Sequence, residues 1–391
     1  MVEVTITAGE YSSKYNHNIK HHLASPYSYP ITISELESLS GVPFPIDQIT
    51  DTPLHTYSEV GVAKCISELY NAPPDFGNNS PQNSSDSNVI VEENDVILAN
   101  GSLGADVLTF EALLGPGDHA ITTTPTYQEL FSVPESLGAE TTHLPLHEEN
   151  QWLPDISELK AAIKSNTKLL ILNNPNNPLG SILPESLLLE IIEIVKEKDI
   201  WILCDEVFRP TYHSTDIVPP SILHFGYEKA ISTGSSSKAF SAMGLRLGWI
   251  ASKNKEFIKM ALDKRGMNGH QPIWTTCVIM KYILDSKVRD KLIERNYKLA
   301  RESLAVLSEG IESSNGKLTW VKPAAGNTSL IKVTGVTNTL AMCVELAQKY
   351  GVLVTPGEVF GYPGYIRVSY ICPSESMKAG FEAIMDYLNK Y

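Results

Sequence analysis

The sequence predicts an α/β protein: a doubly wound, mostly parallel seven-stranded sheet joined to a smaller α+β domain. Three observations predict it. Short apolar runs recur from residue 95 onward and alternate with helix-like segments, the rhythm of strands joined by crossover helices. From about residue 254 the chain turns helix-rich and closes on short strand-like runs. Finally, 391 residues exceed what one hydrophobic core of ~250–300 residues serves.

The strand-like runs are "DVILAN" (95–100), "HAITTT" (119–124), "ETTHLPL" (140–146), "KLLILNN" (168–174), "WILCDEV" (201–207), "KAISTG" (229–234) and "LRLGWIAS" (245–252). Between them lie "GADVLTFEALL", "DISELKAAIKS" and "PESLLLEIIEIVKEK", whose apolar residues recur at helical spacing. The last two runs are too close for a crossover helix, which leaves room for one antiparallel strand. At the C-terminal end "LTWVKPAAGNTSLIKV", "VLVTPG" and "YIRVSY" read as strands of the smaller layer. The expected division is an N-terminal segment, 1–50, packed with the small domain, a large domain over 51–285, and the small domain over 286–391. "FGNNSPQNSSDSN" (76–88) is polar and reads as an exposed loop. Its sequons at Asn78 and Asn83 count for little without a secretory start.

Composition narrows the function. A formal net charge of −14 argues against a nucleic-acid or anionic-membrane surface, so an anionic ligand needs a local pocket. No apolar run reaches the length of a membrane span, and the first residues lack the pattern of a signal peptide. Five scattered cysteines with no C-x-x-C pair read as reduced thiols of a cytoplasmic protein. The ten histidines are also scattered. "HEEN" and "IKHH" have no partners at metal-ligand spacing, so no metal site is expected.

Ligands of open α/β sheets bind at the carboxyl ends of the strands, and residues of interest follow run after run. "GSLGA" (101–105) opens a helix whose first amides can bind phosphate. Tyr127 sets an aromatic ring at the same edge, and "NNPNNPLG" (173–180) is a rigid turn rich in amides. Asp205 ends an apolar strand, where a carboxylate needs a cation or proton donor. "STGSSSKAFSAMGLRLGW" (232–249) then places Lys238 among small polar residues, with Arg246 close behind. An amine crowded by donors and another cation is held toward its neutral, nucleophilic form. Ser235, Ser237, Arg246 and the 101–105 helix start could together hold a phosphate. An aldehyde for the lysine, a phosphate and a ring nitrogen for Asp205 together describe pyridoxal 5′-phosphate.

On these residues the chain resembles the class I/II aminotransferases, the fold-type I pyridoxal-phosphate enzymes, over roughly residues 50–375. "SSSKAFSAMGLRLG" (235–248) fits the family's lysine signature at each constrained position. The resemblance implies that Lys238 forms the Schiff base and shuttles the proton, and that Asp205 keeps the pyridine nitrogen protonated. It further implies that Asn177 meets the ring oxygen, Tyr127 stacks on the ring, and Ser102 and Leu103 give amides to the phosphate beside Ser235 and Arg246. Arg367, in "YIRVSY", would clamp the substrate carboxylate as a bidentate guanidinium. A homodimer is implied, with Tyr57 reaching the partner's phosphate, although Tyr57 stands one residue nearer Gly61 than the usual pattern. Phe208 replaces the family tyrosine that bonds the ring oxygen, and Leu179 replaces the threonine of N-P-T-G. "PAAGNTS" (323–329) puts Asn327 where relatives line the substrate pocket, so Asn327 is expected near the substrate.

The function implied is amino transfer from an α-amino acid to a 2-oxo acid. A lyase or a cyclase of the capreomycidine-synthase type, using the same Cα carbanion, is the alternative. A regulator keeping a degenerate cofactor fold is disfavoured, because the first fifty residues carry no helix-turn-helix pattern and no basic cluster.

Overall fold

The computed structural model describes residues 7–49, 61–72, 89–216, 218–269 and 271–390. Tyr57 and the polar stretch 76–88 lie outside the described residues. The large sheet is built from β1 (Val96–Asn100), β2 (His119–Thr124), β3 (Glu140–Pro145), β4 (Thr167–Asn173), β5 (Trp201–Asp205), β6 (Ala230–Ser235) and β7 (Leu247–Ser252). Their order is β1-β7-β6-β5-β4-β2-β3. β7 runs antiparallel to both β1 and β6, while the other pairs are parallel. The short connection before β7 explains this: a 3₁₀ turn over Met243–Leu245 and a left-handed Arg246 reverse the chain. Strand β7 therefore begins at Leu247, two residues later than the apolar pattern suggests.

The strands read as unbroken apolar runs because both sheet faces are covered. Leu170, Leu172 and Ile202 belong to the core on one face, and their neighbours Leu169, Ile171 and Leu203 to the core on the other. Among the described residues the helices are α1 (Ala8–Tyr15), α2 (Ile33–Ser40), α3 (Val62–Asn71), α4 (Gly101–Leu113), α5 (Glu129–Ser136), α6 (Ile156–Ala162), α7 (Glu185–Glu197), α8 (Lys255–Asn268), α9 (Trp274–Leu284), α10 (Ser286–Ser313), α11 (Thr339–Glu345) and α12 (Ser374–Lys390). Helix α7 buries Leu188, Ile191, Ile192 and Val195 and leaves Glu190, Glu193 and Lys196 in solvent, the one-sided stripe of a sheet-covering helix. Helix α4 is apolar nearly all round, since it is sandwiched between the sheet, α5 and α8.

The smaller layer is an antiparallel sheet of β8 (Leu318–Trp320), β9 (Thr328–Val333), β10 (Thr355–Pro356) and β11 (Tyr365–Ser369), in the order β10-β11-β9-β8. The N-terminal residues Tyr11, Leu23 and Ala24 are buried in its core, and His21 and His22 pair in parallel with Val352 and Leu353. Leu36 of α2 joins the large core instead. Helix α10 serves both: Val288, Leu292 and Ile293 enter the large core, and Ala300, Leu304 and Leu307 the small one.

Candidate active site

Pairing across β4, β5 and β6 sets Asn173 opposite Asp205 and Asp205 opposite Thr233, so these strand ends share one edge. There a cavity is lined by Tyr27, Ser102, Leu103, Tyr127, Asn177 and Asp205, and by Phe208, Ser237, Lys238 and Arg246 among others. The strand ends thus converge with the start of α4 and with Tyr27 of the N-terminal segment.

The start of α4 and Arg246 form an anion cradle whose shape depends on two glycines. Gly101 is left-handed (φ 73°), and a Cβ there would stand 2.6 Å from Arg246 Nη2. A Cβ on Gly248 would stand 2.2 Å from the carbonyl of Gly101. Bare backbone at both positions lets β7 press on α4 and brings the guanidinium to the first amides of the helix, where a phosphate is favoured. Ser237 lines the cavity. Ser235 is buried behind it, its Oγ accepting the Ser237 amide at 3.2 Å.

Lys238 is partly enclosed at the cavity wall, and desolvation lowers its amine to about 7. Arg367 adds to this more than Arg246 does, while Asp205 and Glu129 oppose it. The neighbouring cation foreseen from sequence was Arg246 alone; the tertiary fold brings the stronger one, Arg367, from the small domain. Asp205 Oδ1 accepts the Val207 amide at 3.0 Å. Burial raises its carboxyl to about 7 against that hydrogen bond and the charge of Lys238, and Glu206 adds to the rise. Glu206 itself is satisfied elsewhere, accepting from the Ile222 amide at 2.8 Å and the Ser232 hydroxyl at 3.1 Å. A second buried acid, Asp106 on α4, accepts from Thr233 Oγ1 at 2.7 Å. Burial and the nearby Asp205 hold it well above the usual carboxylate range.

The amide-rich turn is held by its own side chains. Asn173 Oδ1 accepts the Asn177 amide at 2.7 Å, Asn173 Nδ2 donates to the Asp205 carbonyl at 3.0 Å, and Asn174 Oδ1 accepts the Leu183 amide at 3.0 Å. Gly180, at φ 68°, lets the turn close on the 323–328 loop, since a Cβ there would stand 2.4 Å from Pro323 Cβ. Asn177 accepts from Arg367 Nη1 at 3.0 Å. Arg367 is buried, lowered by desolvation to about 10, and donates through Nη2 to Thr355 Oγ1 at 3.1 Å and to the Ala24 carbonyl. Its Nε has no acceptor, a buried donor left for a ligand to meet. Tyr127 lines the cavity, and its hydroxyl is kept protonated by burial and by Glu129. The Phe208 ring centroid lies 5.8 Å from Lys238 Nζ and brings no donor.

Asn327 is fully buried, its Oδ1 accepting the Ser28 amide at 3.0 Å and its Nδ2 donating to the Gly326 carbonyl at 3.0 Å. Through these bonds Asn327 clamps the N-terminal segment at Ser28. Sequence reasoning missed Tyr27, Ser28, Asp106 and Glu129. The first two stand in a segment without periodicity, and Asp106 and Glu129 read as ordinary polar helix positions.

Among the described residues no group of three metal-binding side chains occurs, and no helix is long and apolar enough to cross a membrane. The donor set fits pyridoxal 5′-phosphate instead: an anion cradle, a lysine tuned toward its neutral form, and a buried carboxyl on the next strand. Comparison with known proteins agrees. The chain is 30% identical to a PLP-dependent aminotransferase from Streptococcus suis, which superimposes with a TM-score of 0.87 over 98% of this chain and 97% of that one. It is 28% identical to capreomycidine synthase from Streptomyces vinaceus over 76% of this chain and 75% of that protein. To an aspartate aminotransferase from Pyrococcus horikoshii it is 29% identical over 73% of each. The sequence profile of "Aminotransferase class I and II" matches residues 68–384, and with the fold and the cavity in agreement the chain belongs to that family of pyridoxal-phosphate enzymes.

Proposed function

We propose that this enzyme transfers the amino group of an α-amino acid to a 2-oxo acid, with Lys238 as the residue that binds the cofactor and moves the proton. When bound, pyridoxal 5′-phosphate supplies an electron sink for negative charge at the substrate Cα. Lys238 Nζ would join the aldehyde carbon and, once freed by the substrate amine, would carry the proton from the substrate Cα to that same cofactor carbon. Asp205 would pair with the ring nitrogen, Ser102, Leu103, Ser235, Ser237 and Arg246 would hold the phosphate, and Tyr127 and Phe208 would border the ring. Asn177 and Arg367 act as a unit on the substrate carboxylate side. The observation that carries this reading is Lys238 itself, an amine lowered to about 7 in one cavity with Asp205, Ser102 and Arg246.

A homodimer belongs to the same reading. It is supported by the exposed Met243 and Ile273, which belong to elements in contact, since Thr276 Oγ1 donates to the Leu245 carbonyl at 3.1 Å. A second reading, β- or γ-elimination or ring closure, is favoured by Phe208, which withholds a hydroxyl from the cofactor, and by the likeness to capreomycidine synthase.

Two measurements test these readings. Lys238→Ala should retain cofactor without joining it covalently, read as loss of the visible band and of borohydride-fixed mass. An unchanged band would overturn the assignment of Lys238. A panel of amino acids with 2-oxoglutarate, products read by mass spectrometry, should show oxo-acid exchange. Release of ammonia or a cyclised product instead would establish the second reading.

A further inference from the structure

The N-terminal segment delivers an aromatic ring to the reacting amine. Lys238 Nζ lies over the ring of Tyr27, 3.8 Å from its centroid, nearer than the ring of Phe208 at 5.8 Å. The contact is built from both sides. Ahead of Tyr27, the Leu23 amide donates to the Leu353 carbonyl at 2.8 Å, and the Ala24 carbonyl accepts from Arg367. After it, Ser28 is fastened to Lys238 itself, its Oγ donating to the Lys238 carbonyl at 2.5 Å and its amide at 3.3 Å. Asn327 holds the Ser28 amide, and Arg295 donates to the Tyr29 and Pro30 carbonyls at 2.9 and 3.0 Å. The ring is thus placed by hydrogen bonds to the lysine segment, the small domain and α10.

We propose that Tyr27 is a further catalytic residue, its ring face binding the ammonium form of Lys238 in the steps where that amine carries the substrate proton. The inference rests on the reading of Lys238 given above. The charged groups facing the amine are Asp205 from β5, Glu129 from α5, Arg246 ahead of β7 and Arg367 from β11. The two arginines and burial oppose a charge on Nζ, the two acids favour it, and the negative face of an aromatic ring favours it as well. Tyr27 covers the amine from the N-terminal segment. A cation over a desolvated ring is the strong case of this interaction. Removing the ring should therefore make the amine harder to protonate, and removing only the hydroxyl should not.

The test uses the full-length chain loaded with pyridoxamine 5′-phosphate, in which Lys238 is free. A brief pulse of acetic anhydride at a series of pH values, followed by peptide mass spectrometry, reports the midpoint at which Lys238 becomes reactive. In Tyr27→Leu the midpoint should fall by about one pH unit; in Tyr27→Phe it should stay where it is. Should the leucine variant fail to fold, Tyr27→Trp offers a stronger face and should raise the midpoint. An unmoved midpoint in Tyr27→Leu, or an equal fall in Tyr27→Phe, would overturn the proposal. Borohydride fixation of cofactor on Lys238 in each aldehyde-loaded variant separates the two readings. Without fixation the functional assignment itself fails; with fixation and no shift, only the role of Tyr27 does.

Discussion

Lys238 is held near 7 by burial first and by Arg367 next, with Asp205 only partly offsetting them. A lysine whose folded value lies below its ordinary ~10.4 is neutral over the range between the two, and only the neutral amine attacks an aldehyde. The rate at which the full-length apo chain captures pyridoxal 5′-phosphate should therefore rise with pH to about 7 and level off above it. Stopped-flow absorbance across pH 5–10 checks this, and a rate still climbing at pH 9 would contradict it. At this scale much of the site was legible. Lys238, Asn177 and Tyr127 come shortly after strand ends, Asp205 ends a strand and Arg246 immediately precedes the antiparallel β7, so chain order sends them to one sheet edge. Tyr27 and Arg367 come from segments that reach this edge only through long-range packing. The contact of Asn327 with Ser28 joins residues 299 positions apart, a separation that carries no local signal.

Among elements, the contact of β7 with α4 decides whether the anion cradle exists. Gly248 pairs with Ala99 on one side and Ser235 on the other, and its missing Cβ leaves space for the Gly101 carbonyl. Gly248→Ala should cost about 1–3 kcal/mol of stability through overpacking against backbone, and should weaken cofactor binding by pushing the start of α4 away from Arg246. Gly244→Ala, where a Cβ meets nothing within 4 Å, should stay within about 0.5 kcal/mol of the parent. Thermal melts and cofactor titration of both variants measure the difference; equal behaviour would show that the contact relaxes freely. The alternation of apolar runs and helices foretold this element order, because each strand is covered on both faces. The reversal into β7 was foreseeable from the short connection, but its start was not: the apolar pattern runs on through Leu245, while the left-handed Arg246 breaks the strand.

On the scale of the molecule, α10 ties the two cores together. Leu292 is buried in the large core and Leu304 in the small one, on one continuous 28-residue helix. Leu292→Ala and Leu304→Ala should each lower stability by about 2–5 kcal/mol and should each shift a single unfolding transition. Calorimetry checks this; two separated transitions in either variant would show that the cores unfold independently. The sequence by itself determined the sheet, its crossover helices and the chemistry at the strand ends, because periodicity and strand-to-loop order are local properties of the chain. The tertiary structure decided which residues surround the amine. It brought Arg367 from the small domain and Tyr27 from the N-terminal segment onto Lys238, and it turned Asn327 inward to hold Ser28. Contacts between segments hundreds of residues apart depend on how the two cores close on each other, and only the assembled packing specifies that.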